Sequence, residues 1–439
     1  MGQVPFEGVV TLPLRAGTGQ TARVEGEVEL SPRFIEEFQI AVPKGAVGGS
    51  STGQIEIALG RTEQGAFRLR SNLAGLRLGI PEIGWRFPEG ARGRLEVAGR
   101  LAKPLAVERL SLEAPGLEAL GGLTLRADGS LERVVFSRVK AGDWLDAPVV
   151  LVGRGAGKSP SVSISGGWID MRKTTLGAGD ATRGAAASKP TDGGGPVTLS
   201  LDRLIVSEGI TLTQFVGRFE TARGFDGAFK ARVNGKAAIT GQVLPDRGRT
   251  GFRITSEDAG AVFASAGLLK KAAGGALDLT MRPVGAPGTY DGALRVANVR
   301  LREAPAMAAL LSAVSVVGLL EQLDGQGIPF QSVEADFRLT PTRATVLRSS
   351  AVGASIGLSM DGIYELKSGE MQMQGVVSPL YLLNGVGSVL TRKGEGVLGF
   401  NYRLSGTATA PRVTVNPLSI FTPGMFREIF RRPAPKVSQ

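Results

Sequence analysis

Asp143, Asp146 and Asp170 are the acids that invite a catalytic reading, for example in a β-helical polysaccharide lyase. Acid–base catalysis needs a group held within hydrogen-bond reach of the proton it moves. The spacing of these three does not pair them, and most charges in the chain sit where a solvated strand face would put them. The chain has no histidine, which removes His-based triads, most zinc sites and the commonest general base. It has no cysteine, which removes thiol nucleophiles, thiolate metal sites and disulfides. No Gly-rich loop sits between a buried strand and a helix, so a phosphate-cradling or dinucleotide fold is not indicated. The expectation is a protein that is not an enzyme, with no catalytic residue, metal or cofactor.

Binding chemistry remains. Lys and Arg number 51 against 40 Asp and Glu, a formal charge of +11 with a pI near 10.1. Such a surface attracts polyanions: nucleic acid, or the head groups of anionic lipid and lipopolysaccharide. No block of Lys and Arg interleaves with stacking aromatics, so nucleic acid is not an expected partner. At the C-terminal tip Phe421, Phe426 and Phe430 alternate with Arg427, Arg431 and Arg432 in what reads as a small amphipathic basic helix over Met425–Phe430. That tip is a candidate contact for a membrane surface or a partner, against the plainer reading that the Phe residues cap the last strands.

The apolar residues recur with period two, the signature of half-buried strands. Val24 and Val28 alternate with Glu25, Glu27 and Glu29; Phe229 and Val233 with Lys230 and Arg232. The same holds for Leu277 and Leu279, for Val333, Ala335, Phe337 and Leu339, for Ile356, Leu358 and Met360, and for Leu398, Phe400 and Tyr402. Gly or Pro separates the runs, and the spacing is close to that of a β-meander. On the order of 25 strands are expected, and open sheets beyond about ten strands curl or close. The fold class expected is all-β: a long, curled, mostly antiparallel sheet with one aliphatic face inside. That face either fills a solid sandwich or lines a long apolar groove. Sparse large aromatics and frequent Gly, Ala and Val favour the groove, whose candidate lining is the set of residues just named.

A few short helices interrupt the pattern towards the C-terminal end. Ser256-Glu257-Asp258 opens one expected near 258–271, stopped by Gly274-Gly275; Met307, Leu310, Leu311, Val314 and Val317 mark another near 304–323. Ser378 to Leu390 is apolar enough for a further one. The low-complexity stretch 177–196 reads as a linker or loop. It divides an N-terminal β-groove segment, 1–176, from a C-terminal one, 197–432, with a tail at 433–439. No signal peptide opens the chain, and the longest uncharged run, Ala304 to Leu320, would span about 25 Å as a helix, short of the ~30 Å bilayer core. A protein of this kind working outside the cytosol would need an export or anchor segment beyond this sequence.

Several segments resemble the AsmA-like family of bacterial envelope proteins, in the form related to TamB-type proteins. They are IPEIGWRFPEG (Ile80 to Gly90), SISGGWIDMR (Ser163 to Arg172), SEDAGAVFASAGLLKKAAGGALDL (Ser256 to Leu279), APAMAALLSAVSVVGLLEQLDGQGIPF (Ala304 to Phe330) and VNPLSIFTPGMFREIF (Val415 to Phe430). The resemblance implies a periplasmic protein held to the inner membrane, with a β-sheet groove that carries phospholipid towards the outer membrane and serves outer-membrane maintenance. It implies phospholipid or another acyl lipid as partner, a membrane surface at one or both ends, and envelope proteins as further partners. The alternative is an assembly factor for outer-membrane biogenesis that holds proteins rather than lipid.

Overall fold

The computed structural model describes residues 4–12, 21–38, 40, 45–59, 65–88, 90–102, 106–155, 157–174, 194–379, 393–396, 398–407 and 409–422. The protein is mostly β, with 60% strand and 10% helix. By contact the described residues form two compact units. One runs to Thr174 and resumes over 194–223; the other begins at Gly224.

The first unit contains β1 (Phe6–Thr11), β2 (Ala22–Leu30), α1 (Pro32–Glu37), β3 (Val47–Gly49), β4 (Ser51–Leu59), β5 (Ala66–Ser71), β6 (Leu76–Ile80), β7 (Trp85–Arg86) and β8 (Arg94–Arg100). It continues with β9 (Ala106–Ala114), β10 (Leu117–Leu125), β11 (Leu131–Ala141), β12 (Leu145–Val152), β13 (Ser161–Ser165), β14 (Trp168–Asp170), β15 (Pro196–Ile205) and β16 (Thr211–Glu220). Each strand of the main sheet pairs antiparallel with the next, from β1 through β12 to β13 and β14, while β3, β6 and β7 form a small separate sheet. Trp85 of β7 is buried, as are Leu73 and Phe87, and the Trp85 indole N–H donates to the Pro115 carbonyl at 2.9 Å.

One step breaks the meander. β15 runs parallel to β13 and β14, pairing Val162 with Val197 and Asp170 with Ile205. A parallel neighbour cannot be reached by a tight turn; the chain must return along the strand. The low-complexity stretch therefore joins two strands of one unit, and the second region expected from residue 197 begins instead at Gly224. Most of that stretch lies outside the described residues.

The second unit holds β17 (Asp226–Val233), β18 (Ala237–Asp246), β19 (Arg249–Ser256), α2 (Ala259–Ser265), β20 (Ala272–Ala273), β21 (Ala276–Pro283), β22 (Tyr290–Leu301), α3 (Pro305–Ala313) and α4 (Val317–Asp324). Then follow β23 (Ile328–Leu339), β24 (Arg343–Val352), β25 (Ile356–Glu365), β26 (Glu370–Pro379), β27 (Phe400–Thr407) and β28 (Pro411–Asn416), ending in a 3-10 turn over Pro417–Phe421. The longer strands pair antiparallel in sequence order, β19 reaching β21 past the short β20, which pairs antiparallel with β22.

The helices depart from expectation in length. α2 starts where the sequence places it, with the Asp258 carboxylate accepting from the Ala261 amide at 2.9 Å, but stops at Ala266. Gly267, at φ +74°, ends it before the expected Gly274-Gly275. The single helix expected near 304–323 is two, α3 and α4, because Ser315 takes φ +57° and breaks the backbone ladder. The helices expected within 378–390 and 425–430 fall on or run into residues outside those described; the described part, Ser378–Pro379, is strand.

α3 follows directly on β22, yet it packs against β28. In a flat sheet those strands lie six spacings apart, about 29 Å, while a helix is only about 10 Å across. The sheet of this unit therefore curls around the helix pair. Leu310, Leu311, Leu319 and Leu323 are buried in one core with Leu277, Val296, Ile356, Leu358, Val377 and Tyr402.

Candidate apolar groove

In the second unit the ladder register carries one apolar row from strand to strand. Phe229 faces Gly241, Gly241 faces Ile254, Ile254 faces Leu279, and Leu279 faces Leu294. Leu294 faces Ala335, and the row continues through Ser349, Met360, Gly375, Tyr402 and Val415. Ser349 is the polar member of the row; its hydroxyl donates to the Met360 carbonyl at 2.8 Å. A neighbouring row joins Leu277, Val296, Val333, Ala351, Leu358, Val377 and Phe400. The sequence-predicted residues Phe229, Leu277, Leu279, Val333, Ala335, Phe337, Leu339, Leu358, Met360, Phe400 and Tyr402 thus share one face. Val233, two steps of period two from Phe229, and Ile356, one step from Leu358, join them.

In the first unit Val24 begins a similar row, through Ile57, Phe67, Gly99, Val107, Leu123 and Val134. Val28 lies on the same face and is buried. The opposite face there carries cross-strand ion pairs, among them Arg100 with Glu108 at 2.8 Å and Arg138 with Asp146 at 2.9 and 2.8 Å.

One predicted lining position is corrected, and one residue between lining positions departs from its alternation. Leu398 precedes β27, in a bend, and is exposed, so it lines nothing. Ser359, which alternation places outward in solvent, is buried. Residues 393–396 cross over it, and its hydroxyl donates to the Glu395 carboxylate at 2.6 Å while accepting the Val376 amide at 3.2 Å. Gly396 N–H donates to the Ser378 hydroxyl at 2.9 Å, fixing the same crossing. No periodic signal announces it, since Ser359 reads as an ordinary outward residue. The row is also not equally open along its length. Leu277, Ile356, Leu358 and Tyr402 lie in the core closed by α3 and α4, whereas Leu279, Leu294, Ala335, Phe337, Leu339 and Met360 are only half-buried. Of the helix pair, Leu310 and Leu311 were visible at helical spacing, while Leu319 and Leu323 were not, and Val317, expected on the apolar face, is exposed.

Aromatic side chains on this face lie over glycines. A Cβ on Gly241 or Gly292 would collide with the ring of Phe229 or Phe337, each directly opposite in the ladder. Tyr402 reaches across Gly375 in the same way, and its hydroxyl donates to the Ser359 carbonyl at 3.0 Å. Rings laid flat on glycine keep the apolar face low.

Four of the described carboxylates are held in the charged form by a neighbouring cation. Arg172 holds the buried Asp170 below the usual carboxylate range through bonds of 2.9 and 2.7 Å. Arg138 does the same for Asp146, Arg253 for Asp278 and Lys393 for Glu334. Asp143 is exposed and lies 3.7 Å from Lys173. Among the described residues no three His, Cys, Asp or Glu gather to hold a metal ion, and no helix is long and apolar enough to cross a membrane. At the tip, Phe421 stands exposed at the end of the 3-10 turn; Phe426, Arg427, Phe430, Arg431 and Arg432 lie outside the described residues. No family model, no curated protein and no solved structure matches the chain.

Proposed function

We propose that this protein is a lipid-binding groove protein of the bacterial envelope, without enzymatic activity, which takes part in phospholipid transport between the inner and outer membranes from the periplasm. One observation supports the reading above the others: an apolar row runs across consecutive strands in register, half-buried over Leu279, Leu294 and Ala335, with charged residues on the opposite face. A surface of that kind offers an acyl chain continuous apolar contact and offers no compensation to a polar group. The basic composition suits the head groups that would ride at its rim.

A second reading, an assembly factor that holds protein partners, is favoured by the helix pair. α3 and α4 occupy the same face further along, so the face accepts an amphipathic protein element.

Mass spectrometry of extracts from the purified protein separates the two. Retained phospholipid is expected for the first reading. Ala335→Arg should lower it more than about tenfold, because the acyl chain cannot pair the buried charge; Lys230→Glu, exposed on the outer face, should not. An Ala335→Arg protein that melts normally and retains the wild-type amount of lipid refutes the groove. One that fails to fold points to a solid interior.

A further inference from the structure

The curled sheet of the second unit has two unlike ends. One is closed by tight turns, as at Asp246–Arg249 and Leu339–Arg343. The other carries the end of β22, the start of β23, the end of β26, the start of β27 and the end of β28, together with the helices among the unit's described residues. Two apolar elements protrude from that second end. Leu418 and Phe421 in the last 3-10 turn are 69% and 83% exposed. Leu268 and Leu269, just after α2, are 63% and 38% exposed.

Backbone hydrogen bonds close the end of α2. Gly267 N–H donates to the Ala264 carbonyl at 3.1 Å and Leu268 N–H to the Phe263 carbonyl at 2.9 Å, the two bonds of a Schellman cap. In that cap the residue after the glycine commonly packs back on the last helical turn. Here Leu268 stays largely in water. The next residues are Lys270 and Lys271, both exposed, and the Lys271 carbonyl accepts from the amide of Arg302, a third exposed cation. Glu303 lies 3.4 Å from Lys271 and offsets part of this charge. Two leucines carried on a fixed turn, with cations immediately behind them, match the boundary between acyl chains and anionic head groups.

We infer that the Gly267–Lys271 turn is a membrane-docking element, which seats this end of the second unit on an anionic bilayer, with Leu268 and Leu269 in the acyl boundary and Lys270 and Lys271 among the head groups. The inference rests on the groove reading for its purpose, since it names the end at which lipid would pass between protein and membrane. The fixed cap lowers the ordering cost of insertion, so the apolar contact is not offset by freezing a mobile loop.

The full chain is sedimented with vesicles of phosphatidylcholine alone and of phosphatidylcholine with phosphatidylglycerol. Wild type should bind the anionic vesicles. Leu268→Ser with Leu269→Ser should weaken that binding at least about tenfold, and Leu268→Ser alone should weaken it with an unchanged melting temperature, as the Leu268 side chain already lies largely in water. Lys270→Gln and Lys271→Gln should each cost about fivefold on anionic vesicles and nothing on neutral ones. A tryptophan placed by Leu268→Trp should be quenched by brominated acyl chains. Absence of wild-type binding, binding indifferent to the leucine pair, or an unquenched Leu268→Trp overturns the inference. Phospholipid retained by the same preparations separates this from the groove. Loop-dependent vesicle binding by a protein that retains no lipid sinks the groove alone, and retained lipid with loop-independent binding sinks the docking alone.

Discussion

Gly292 shows how a single residue type sets the height of a surface. It lies opposite Phe337, and its missing Cβ is the space the ring fills. Gly292→Ala must push that ring off the sheet, an overpacking that typically costs about 1–3 kcal/mol. Urea denaturation should show the loss, and Phe337→Leu introduced alongside should recover part of it by vacating the site; a neutral Gly292→Ala would mean the ring has other room. The pairing was not legible in the sequence. Gly292 and Phe337 are separated by two helices, and the strand register that brings them together is a tertiary fact. Val333, Ala335 and Phe337, by contrast, declare a common face by alternation alone, because period two needs no partner to be read. Ser359 is the converse failure. Its alternation was read rightly, but residues 393–396 bury the face it was assigned to.

At the scale of elements, the helix pair decides how closed the sheet is. Leu311 on α3 is fully buried against the curled sheet. Leu311→Ala leaves a cavity there and should destabilise the second unit by about 2–5 kcal/mol, read as a lower denaturation midpoint. A change under about 1 kcal/mol would mean that the pair is loosely seated. The existence of helix at this place was legible because Met307, Leu310 and Leu311 follow helical spacing through a β-rich chain. Its division was not. Ser315 at positive φ has no strong sequence signal, unlike the glycine that stops α2. The strands were the most legible elements where charged residues alternate with apolar ones, as in β2, β5, β17 and β23. The parallel step at β15 escaped notice because periodicity does not encode strand direction.

For the molecule as a whole, charge and pH act together. Asp146, Asp170, Asp278 and Glu334 are all held below their ordinary range, first by a hydrogen bond from a neighbouring cation. A carboxyl depressed in the folded state contributes stability above its unfolded value and loses it as pH falls through the folded value. Stability should therefore be flat near neutrality and fall below about pH 4. Asp170 is the buried one, so Asp170→Asn should lower stability at pH 7 and flatten the acid limb; an acid limb identical to wild type would assign the loss to the exposed pairs. The meander itself has a further consequence, which concerns length. Where each strand pairs with its predecessor, inserting one hairpin extends a sheet by about 10 Å and leaves every later turn at its own end. Inserting one strand would send all later turns to the opposite end, carrying α3 and α4 with them. Such a fold can be lengthened or shortened in steps of two, like a ruler with paired divisions. Among the described strands, the parallel pairing of β13 and β14 with β15 is where that alternation of direction is broken.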